Sequence, residues 1–311
     1  MRLAGLLSLS LLPTPPAARK ILVIFCACLC CSVSAAAPGM DERVTAAKIP
    51  GPDHVVIVIE ENKAYGQIID NPDAPYINRL AAAGALFTRS FAVAHPSQPN
   101  YLALFSGSTQ DIISDACPQQ FNNDNLASEL MKKGLTFGIY SESMPATGFT
   151  GCFADIYLYA RKHNPAVNWQ GHNVPPEINM PFNEFPRDYA RLPTVSMVIP
   201  NQVNDMHSGV SREELIKRGD TWLKDNLDAY IQWAMKNNSL FILTWDEDDS
   251  SSSNHIPTVF IGPMVTPGRY DDRVDHYRVL RTLVEMFGLS PLGSTAIVQP
   301  IQDIWMTELQ R

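Results

Sequence analysis

His54-Val-Val-Ile-Val-Ile59 is an almost unbroken run of β-branched residues, and it ends in Glu60-Glu61-Asn62. A run without polar residues at alternate positions is the pattern of a parallel strand covered on both faces, and open α/β sheets bind ligands beyond the carboxyl ends of such strands. Further apolar runs at 136–140, 195–199, 240–244 and 258–261 predict strands, with helical patterns between several of them, so the fold class is α/β. Ser211 and Glu214 have capping-box spacing, and Leu215, Trp222, Leu223, Tyr230, Ile231 and Ala234 recur at helical intervals, predicting a helix over 212–236. Val279, Leu280, Leu283, Val284 and Phe287 predict another that stops at Gly288. Residues 145–193, rich in Pro, Asn and aromatics but aperiodic, predict an irregular excursion over one face of the sheet.

The 311 residues, 45% hydrophobic and 18% charged, suffice for one large core and are too apolar for a disordered chain. A net charge of −8 disfavours binding to a phosphate backbone, so no nucleic-acid partner is expected. Arg19 and Lys20 precede the apolar run 21–32, which leads into Ser34-Ala-Ala-Ala37-Pro38, the order of a secretory signal. Cleavage is predicted near Ala37, leaving one domain over 38–311 that is secreted or periplasmic; a second apolar stretch, 3–12, leaves room for a start codon further in. The run holds about a dozen apolar residues against the roughly 20 that a spanning helix needs, so no stable membrane anchor is expected. Cys26, Cys28, Cys30 and Cys31 admit a lipoprotein anchor as the alternative, although no lipobox leads into them. Losing Arg2, Arg19 and Lys20 and no acid takes the balance from −8 to −11, and only Cys117 and Cys152 remain. In an oxidising compartment they form a disulfide or stay as two buried thiols.

Four segments place polar groups just beyond predicted strands or before predicted helices. Glu60-Glu61-Asn62 is either a solvated loop of charges or a cation site. Pro99 predicts a helix start with Ser97 at or just before its cap, so Ser97 is either a plain capping serine or a hydroxyl held at the positive end of a helix, where a phosphoryl oxyanion would bind. Asn204-Asp205-Met206-His207 can turn an acid and an imidazole toward one ligand or be a surface loop. Asp246-Glu247-Asp248-Asp249 ends a buried run, which favours a cation site over a solvated turn; His255 beyond it belongs to that site or to the surface. Carboxylates and Asn62 suit Ca²⁺, Mg²⁺ or Mn²⁺, and histidines admit Zn²⁺.

Taken in order, strand-Glu61-Asn62, His95-Pro-Ser97-Gln-Pro-Asn100-Tyr101, Tyr140-Ser-Glu142-Ser-Met-Pro145, Tyr159-Ala-Arg-Lys162-His163-Asn164-Pro165, Asn204-Asp205-Met-His207, Gly219-Asp220 and Thr244-Trp-Asp246-Glu247-Asp248 carry a resemblance. Over about residues 53–305 the chain resembles the bacterial phosphoesterase family of secreted acid phosphatases, related to the nonhemolytic phospholipases C, and within it the short mycobacterial members. The resemblance implies an alkaline-phosphatase-like three-layer α/β/α sandwich. It implies Ser97 as a nucleophile that forms a covalent phosphoenzyme, with one divalent metal held by Glu61, Asn62, Asp246 and Glu247. His207 and His163 would contact the phosphate or protonate the leaving oxygen, Asn100 would donate to the transition-state charge, and Asp205 would be a further ligand or orient His207. His276 is a weaker candidate, as readily structural, and relatives carrying cysteines at the same places support the Cys117–Cys152 disulfide.

The expected function is therefore a secreted, metal-dependent phosphomonoesterase acting on a small phosphorylated substrate: a nucleotide, a sugar or a lipid-headgroup phosphate. The alternatives are phosphodiester or phospholipase C-type cleavage on the same fold, and a noncatalytic metal-binding surface protein.

Overall fold

The structure, a computed structural model, describes residues 48–306. The expected signal segment and its cysteines lie outside them. Ten strands are present among the described residues: β1 (His54–Glu60), β2 (Ala85–Phe91), β3 (Phe137–Ser141), β4 (Phe153–Ala154), β5 (Tyr159–Ala160), β6 (Asn179–Pro181), β7 (Val195–Ile199), β8 (Ser239–Trp245), β9 (Thr258–Ile261) and β10 (Gly268–Asp275). Eight form one sheet in the order β10-β2-β9-β8-β1-β7-β3-β6, and β4 and β5 make a small hairpin of their own. Only β9 runs against its neighbours; every other pairing in the large sheet is parallel.

β1 lies mid-sheet between β7 and β8 and is buried almost throughout, as an apolar run without alternation requires. Its side chains alternate between two cores. Val55, Ile57 and Ile59 face one that contains Tyr101, Leu102, Val279 and Leu283. Val56 and Val58 face the other, with Ile77, Leu80, Leu223 and Ile231. The helices are α1 (Tyr65–Ile68), α2 (Pro75–Ala83), α3 (Ser97–Ser106), α4 (Leu126–Lys132), α5 (Arg212–Ala234) and α6 (His276–Met286). With α3, α4 and α6 on one face and α2 and α5 on the other, the expected three-layer α/β/α sandwich results.

The predicted strands are present to within a residue, and the helix predicted over 212–236 runs Arg212–Ala234. Its capping box is half made. Ser211 Oγ accepts the Glu214 N–H at 3.2 Å, but the Glu214 carboxylate pairs instead with Arg218 one turn on, at 2.6 Å. Residues 145–193 are irregular as expected, broken into 3₁₀ turns, the β4–β5 hairpin and the edge strand β6. Sequence pattern missed β2 and β10. β2 gains its burial from strands on both sides, and β10, with Asp271, Asp272 and Arg273, is a largely exposed edge.

The Gly219-Asp220 pair has a structural explanation. Both carboxylate oxygens of Asp220 accept N–H groups at the start of α2, from Ile77 at 2.7 Å and Tyr76 at 3.1 Å, capping one helix from another. A Cβ on Gly219 would stand 2.4 Å from Met206 Cε and 3.1 Å from Asn204 O, so glycine lets α5 press against the loop that carries Asp205 and His207.

Cys117 and Cys152 are joined, with Cα atoms 5.9 Å apart and a sequence separation of 35. The bridge ties the loop after α3 to the β4–β5 hairpin. Closing a loop of that length removes denatured-state entropy equivalent to about 4 kcal/mol. We expect Cys152→Ser, or reductant, to lower the thermal midpoint by about 10 °C. An unchanged midpoint under reductant would show that the thiols are unpaired in solution.

Candidate active site

β1 carries adjacent acids to the carboxyl edge of the sheet on opposite faces. Glu60 is buried on the α5 side with neither carboxyl oxygen hydrogen-bonded, and burial, followed by the charges of Asp205 and Glu142, pushes its pKa well up. Glu61 is buried on the α3 side and is the centre of the site.

Ser97 is the first residue of α3, with Pro96 before it. It does not cap the helix as expected, because the Asp115 carboxylate accepts the Gln98 N–H at 3.0 Å instead. The freed hydroxyl lies 3.1 Å from Glu61 Oε2 and 3.2 Å from Glu247 Oε1, and it is 2% exposed. A hydroxyl between two carboxylates at the positive end of a ten-residue helix is neither an ordinary cap nor an ordinary core serine.

Around Glu61 stand Tyr101, whose hydroxyl donates to Oε1 at 2.5 Å, and His163, whose Nε2 is 3.1 Å from the same oxygen without hydrogen-bond alignment. His163 stacks on Tyr101 with ring centres 5.1 Å apart, and its Nδ1 is 3.6 Å from Asp205 Oδ2. Ligand atoms of Glu61, His163 and Asp205 all fall within 4.8 Å of one another, so these three could hold a metal ion. His163 was expected at the phosphate or the leaving oxygen. It is instead 1% exposed, and burial, with Lys162 and His207 adding to it, holds its pKa well below the usual imidazole range. A buried imidazole kept neutral is free to offer a ring nitrogen to a metal ion.

Asp205 and His207 sit in the loop after β7. Asp205 Oδ1 accepts the His207 N–H at 2.8 Å, and Glu61 N–H donates to Asp205 O at 2.7 Å, so strand β1 and this loop are stitched together. Buried Lys63 donates to Met206 O at 2.7 Å, at a residue whose φ is 75°. His207 is half-buried, its Nδ1 2.9 Å from Ser208 Oγ. Burial, then Lys162 and Lys63, push its pKa down to about 4.

β8 supplies Asp246 and Glu247. Asp246 Oδ1 accepts the Asn62 N–H at 3.2 Å, while its Oδ2 is buried without a partner, as is Asp205 Oδ2. Asn62 takes a left-handed φ of 50° and donates its side-chain N–H to Glu61 Oε2 at 3.1 Å. Burial is the first cause that raises the pKa of Glu61, Asp205 and Asp246, and each is also raised by a neighbouring acid. Glu247 is pushed up to about 7, again by burial first. Four buried acids, with Asp205 Oδ2, Asp246 Oδ2 and Glu247 Oε2 all lacking a hydrogen-bond partner, are an unfavourable arrangement unless a cation lies among them, and this donor set of carboxylates, an amide and an imidazole suits a divalent ion.

Asn100 is the expected site residue that the structure turns elsewhere. Its oxygen accepts N–H groups of Val93 and Ala94, both at 3.0 Å, and its nitrogen donates to Ala94 O and Pro96 O. The amide is spent on holding the 93–96 backbone, which carries Ser97. His276 Nε2 donates to Asp246 O at 2.7 Å in the core, and His255 is held between Tyr65 and Phe91 with Nε2 on Thr88 O, so both are structural.

Sequence reasoning gave no role to His95, Lys162, Asp115, Tyr101 or Lys63. His95 Nδ1 is 2.5 Å from Glu247 Oε2, and Lys162 Nζ is 2.7 Å from Asp115 Oδ2. His95, Lys162 and Tyr101 lie inside the motifs quoted above, which was the available signal; nothing local marks Asp115. Surface hollows of about 540 and 620 Å³ elsewhere are lined by none of these residues, so cavity size does not identify the site.

Residues 67–290 match the family model described as "Phosphoesterase family". The chain is 49% identical over 265 residues to a phosphatidylinositol-3-phosphatase from Mycobacterium tuberculosis, covering 84% of this chain and 86% of that one. It is 32% identical over 231 residues to an acid phosphatase of Aspergillus fumigatus, covering 69% of this chain and about half, 51%, of the fungal one. The fold is similar to that of a solved alkaline phosphatase superfamily protein from Vibrio parahaemolyticus, with a TM-score of 0.58 at 15% identity, covering 82% of this chain and 72% of that one.

Proposed function

The chain belongs to the Phosphoesterase family, and from that membership we propose that it is an exported, metal-dependent phosphomonoesterase with Ser97 as its nucleophile. The observation that carries the reading is the Ser97 hydroxyl, buried at the start of α3 with two carboxylates within 3.2 Å. Its proton already faces an acceptor, and its oxygen faces the positive end of the helix, where a phosphoryl group is held.

In the proposed reaction Ser97 Oγ bonds to phosphorus as the ester P–O bond breaks, and the departing oxygen takes a proton. Water then attacks the phosphoserine, the Ser97 oxygen regains a proton, and orthophosphate leaves. Glu61, Asn62, Asp205, Asp246, Glu247 and His163 are the residues that would hold the ion. When bound, a divalent ion supplies positive charge that favours the ionised serine and offsets the charge of the phosphate. Lys162, with its side chain 14% exposed, is the cation placed to meet an entering phosphate dianion. His207 is neutral above about pH 5 in the resting protein, and a phosphate dianion beside it would raise its pKa toward the range where it can protonate the leaving oxygen.

Export rests on the signal pattern over residues 1–37, and the disulfide supports an oxidising compartment. The monoester preference is favoured over diester cleavage by relatives that carry phosphatase names. The test is phosphate release from an aryl monoester and product release from its matched diester, before and after chelation and with Mg²⁺, Ca²⁺, Mn²⁺ or Zn²⁺ restored. Faster monoester turnover that one ion restores is expected; faster diester turnover would overturn the monoester assignment.

A further inference from the structure

Arg161, Lys162 and His163 are consecutive in one 3₁₀ turn, and the site as described uses only the last two. Arg161 is buried, and its guanidinium donates only to neutral oxygens: Nη1 to Thr150 O at 2.6 Å, Nη2 to Gln119 O at 2.7 Å, and Nε and Nη2 to Asn168 Oδ1, both at 3.2 Å. Among the described residues no carboxylate pairs with it. A buried cation without a counter-charge carries a desolvation cost that a packed apolar side chain would not, so stability alone does not explain it.

Its partners lie in the two segments that the disulfide joins. Thr150 precedes Cys152 by two residues, and Gln119 follows Cys117 by two. The Arg161 N–H also donates to Cys152 O at 2.9 Å, and Asn168 O accepts the Phe121 N–H at 2.7 Å. A covalent bond and a guanidinium thus bridge the same gap.

The bridged segments meet the site at Lys162. Its Nζ donates to Asp115 Oδ2 at 2.7 Å and to no other acceptor among the described residues, which leaves N–H groups for an incoming phosphate. Asp115, two residues before Cys117, is fixed at its other oxygen by the Gln98 N–H beside Ser97. The Lys162 charge acts on Glu61, Asp205, His207 and Glu247, so the ammonium faces the acidic cluster. A lysine stem is flexible, and its ammonium is preorganised only while its anchor stays fixed.

We propose that Arg161 and the Cys117–Cys152 disulfide form one clamp that holds Asp115 and Lys162 at the phosphate approach, so that the site's affinity for phosphate depends on the disulfide being closed. Arg161 and Asp115 are then positioning residues, acting through Lys162. The inference deepens the phosphomonoesterase reading and rests on it for the role of Lys162.

The test measures KM and kcat for an aryl phosphate and the calorimetric Kd for orthophosphate, with divalent ion present and well below the thermal midpoint. It compares the closed chain, the chain opened by a water-soluble phosphine, Cys152→Ser and Arg161→Lys, each with Lys162 and with Lys162→Met. The phosphine breaks the S–S bond to two thiols and is itself oxidised, with water supplying the oxygen and both protons; circular dichroism reports folding. Opening the disulfide, or Arg161→Lys, is expected to raise KM and Kd about tenfold and to change kcat by less than about twofold, because a cation that meets the dianion before and during reaction contributes uniform binding. With Lys162→Met the same changes should move KM less than about twofold, since the cation they misplace is already gone.

An opened, folded chain that keeps its KM and Kd would overturn the proposal. So would an equal rise with and without Lys162, which would make the clamp purely structural. A rise on opening the disulfide with none in folded Arg161→Lys would overturn the part given to Arg161; if that variant does not fold, the opened parent and Cys152→Ser decide the dependence on the disulfide. If no form hydrolyses the ester, the phosphomonoesterase reading fails, while the orthophosphate Kd still decides the clamp, and a closed chain that binds no orthophosphate would overturn it.

Discussion

Ser97→Ala is expected to cut turnover of an aryl phosphate by about 10⁴-fold or more, the scale on which a nucleophile removed from a cooperating unit acts. That factor corresponds to about 5.5 kcal/mol of transition-state stabilisation. Folding should change little. The variant removes one hydrogen bond, made by Ser97 to Glu61 or Glu247, at a net cost of about 1 kcal/mol. The Asp115 cap on α3 and the Asn100 bracing of the 93–96 loop stay in place. Acid-quenched wild-type protein should carry a phosphoryl group on the peptide containing Ser97, and the variant should not. Retention of a tenth or more of the activity by a folded Ser97→Ala protein would remove Ser97 from the nucleophile role.

Chelation should abolish turnover and, independently, make stability depend on pH in one direction. The Glu61, Asp205 and Asp246 carboxyls are held above the ordinary range by burial first, and Glu247 is pushed up to about 7. An acid whose folded pKa lies above its unfolded one favours the folded state when protonated. In the chelated protein that stability is fully present below about pH 4 and is lost as pH rises through the raised values, up to about 7 for Glu247. Opposing this, a divalent ion binds the deprotonated carboxylates and gains most near neutrality. At a hundredfold excess over its Kd it contributes about 2.7 kcal/mol, or roughly 5–10 °C in Tm for a domain of this size. Tm should thus fall between pH 5 and 7.5 in chelator, and the rise on adding the ion should be larger at pH 7.5 than at pH 5. A chelated protein whose Tm climbs over that interval, or one indifferent to all four ions, would remove the cation site from the cluster.

Much of this arrangement is legible locally. Glu61 follows a run that can only be an interior strand, and Asp246-Glu247 follows another, so their placement at one edge of the sheet follows from strand pattern and the rule for open sheets. Pro99 marks the start of α3, which brings Ser97 to a helix terminus, although the terminus proved to be Ser97 itself. The roles of individual side chains are less legible. An asparagine three residues after a serine can face a ligand or its own backbone, and in Asn100 the amide is consumed by residues 93–96. A histidine can be acid or ligand according to burial, and the 1% exposure of His163 comes from packing on Tyr101. Asp115 caps α3 and pairs with Lys162 from a loop that has no periodicity of its own.

The amino-acid sequence by itself determined the α/β class, the central strand, the long helix α5 and the acids at the strand ends. Those features depend on periodicity and on the residues flanking one element, which are fixed within a few positions of chain. Tertiary structure decided which of the polar groups meet. Glu61 and Glu247 approach Ser97 because β1 and β8 are paired neighbours, and Asp205 joins Glu61 because β7 pairs on the other side of β1. The pKa shifts arise from that convergence as well, since desolvation and like-charge repulsion require groups far apart in sequence to be packed together away from water.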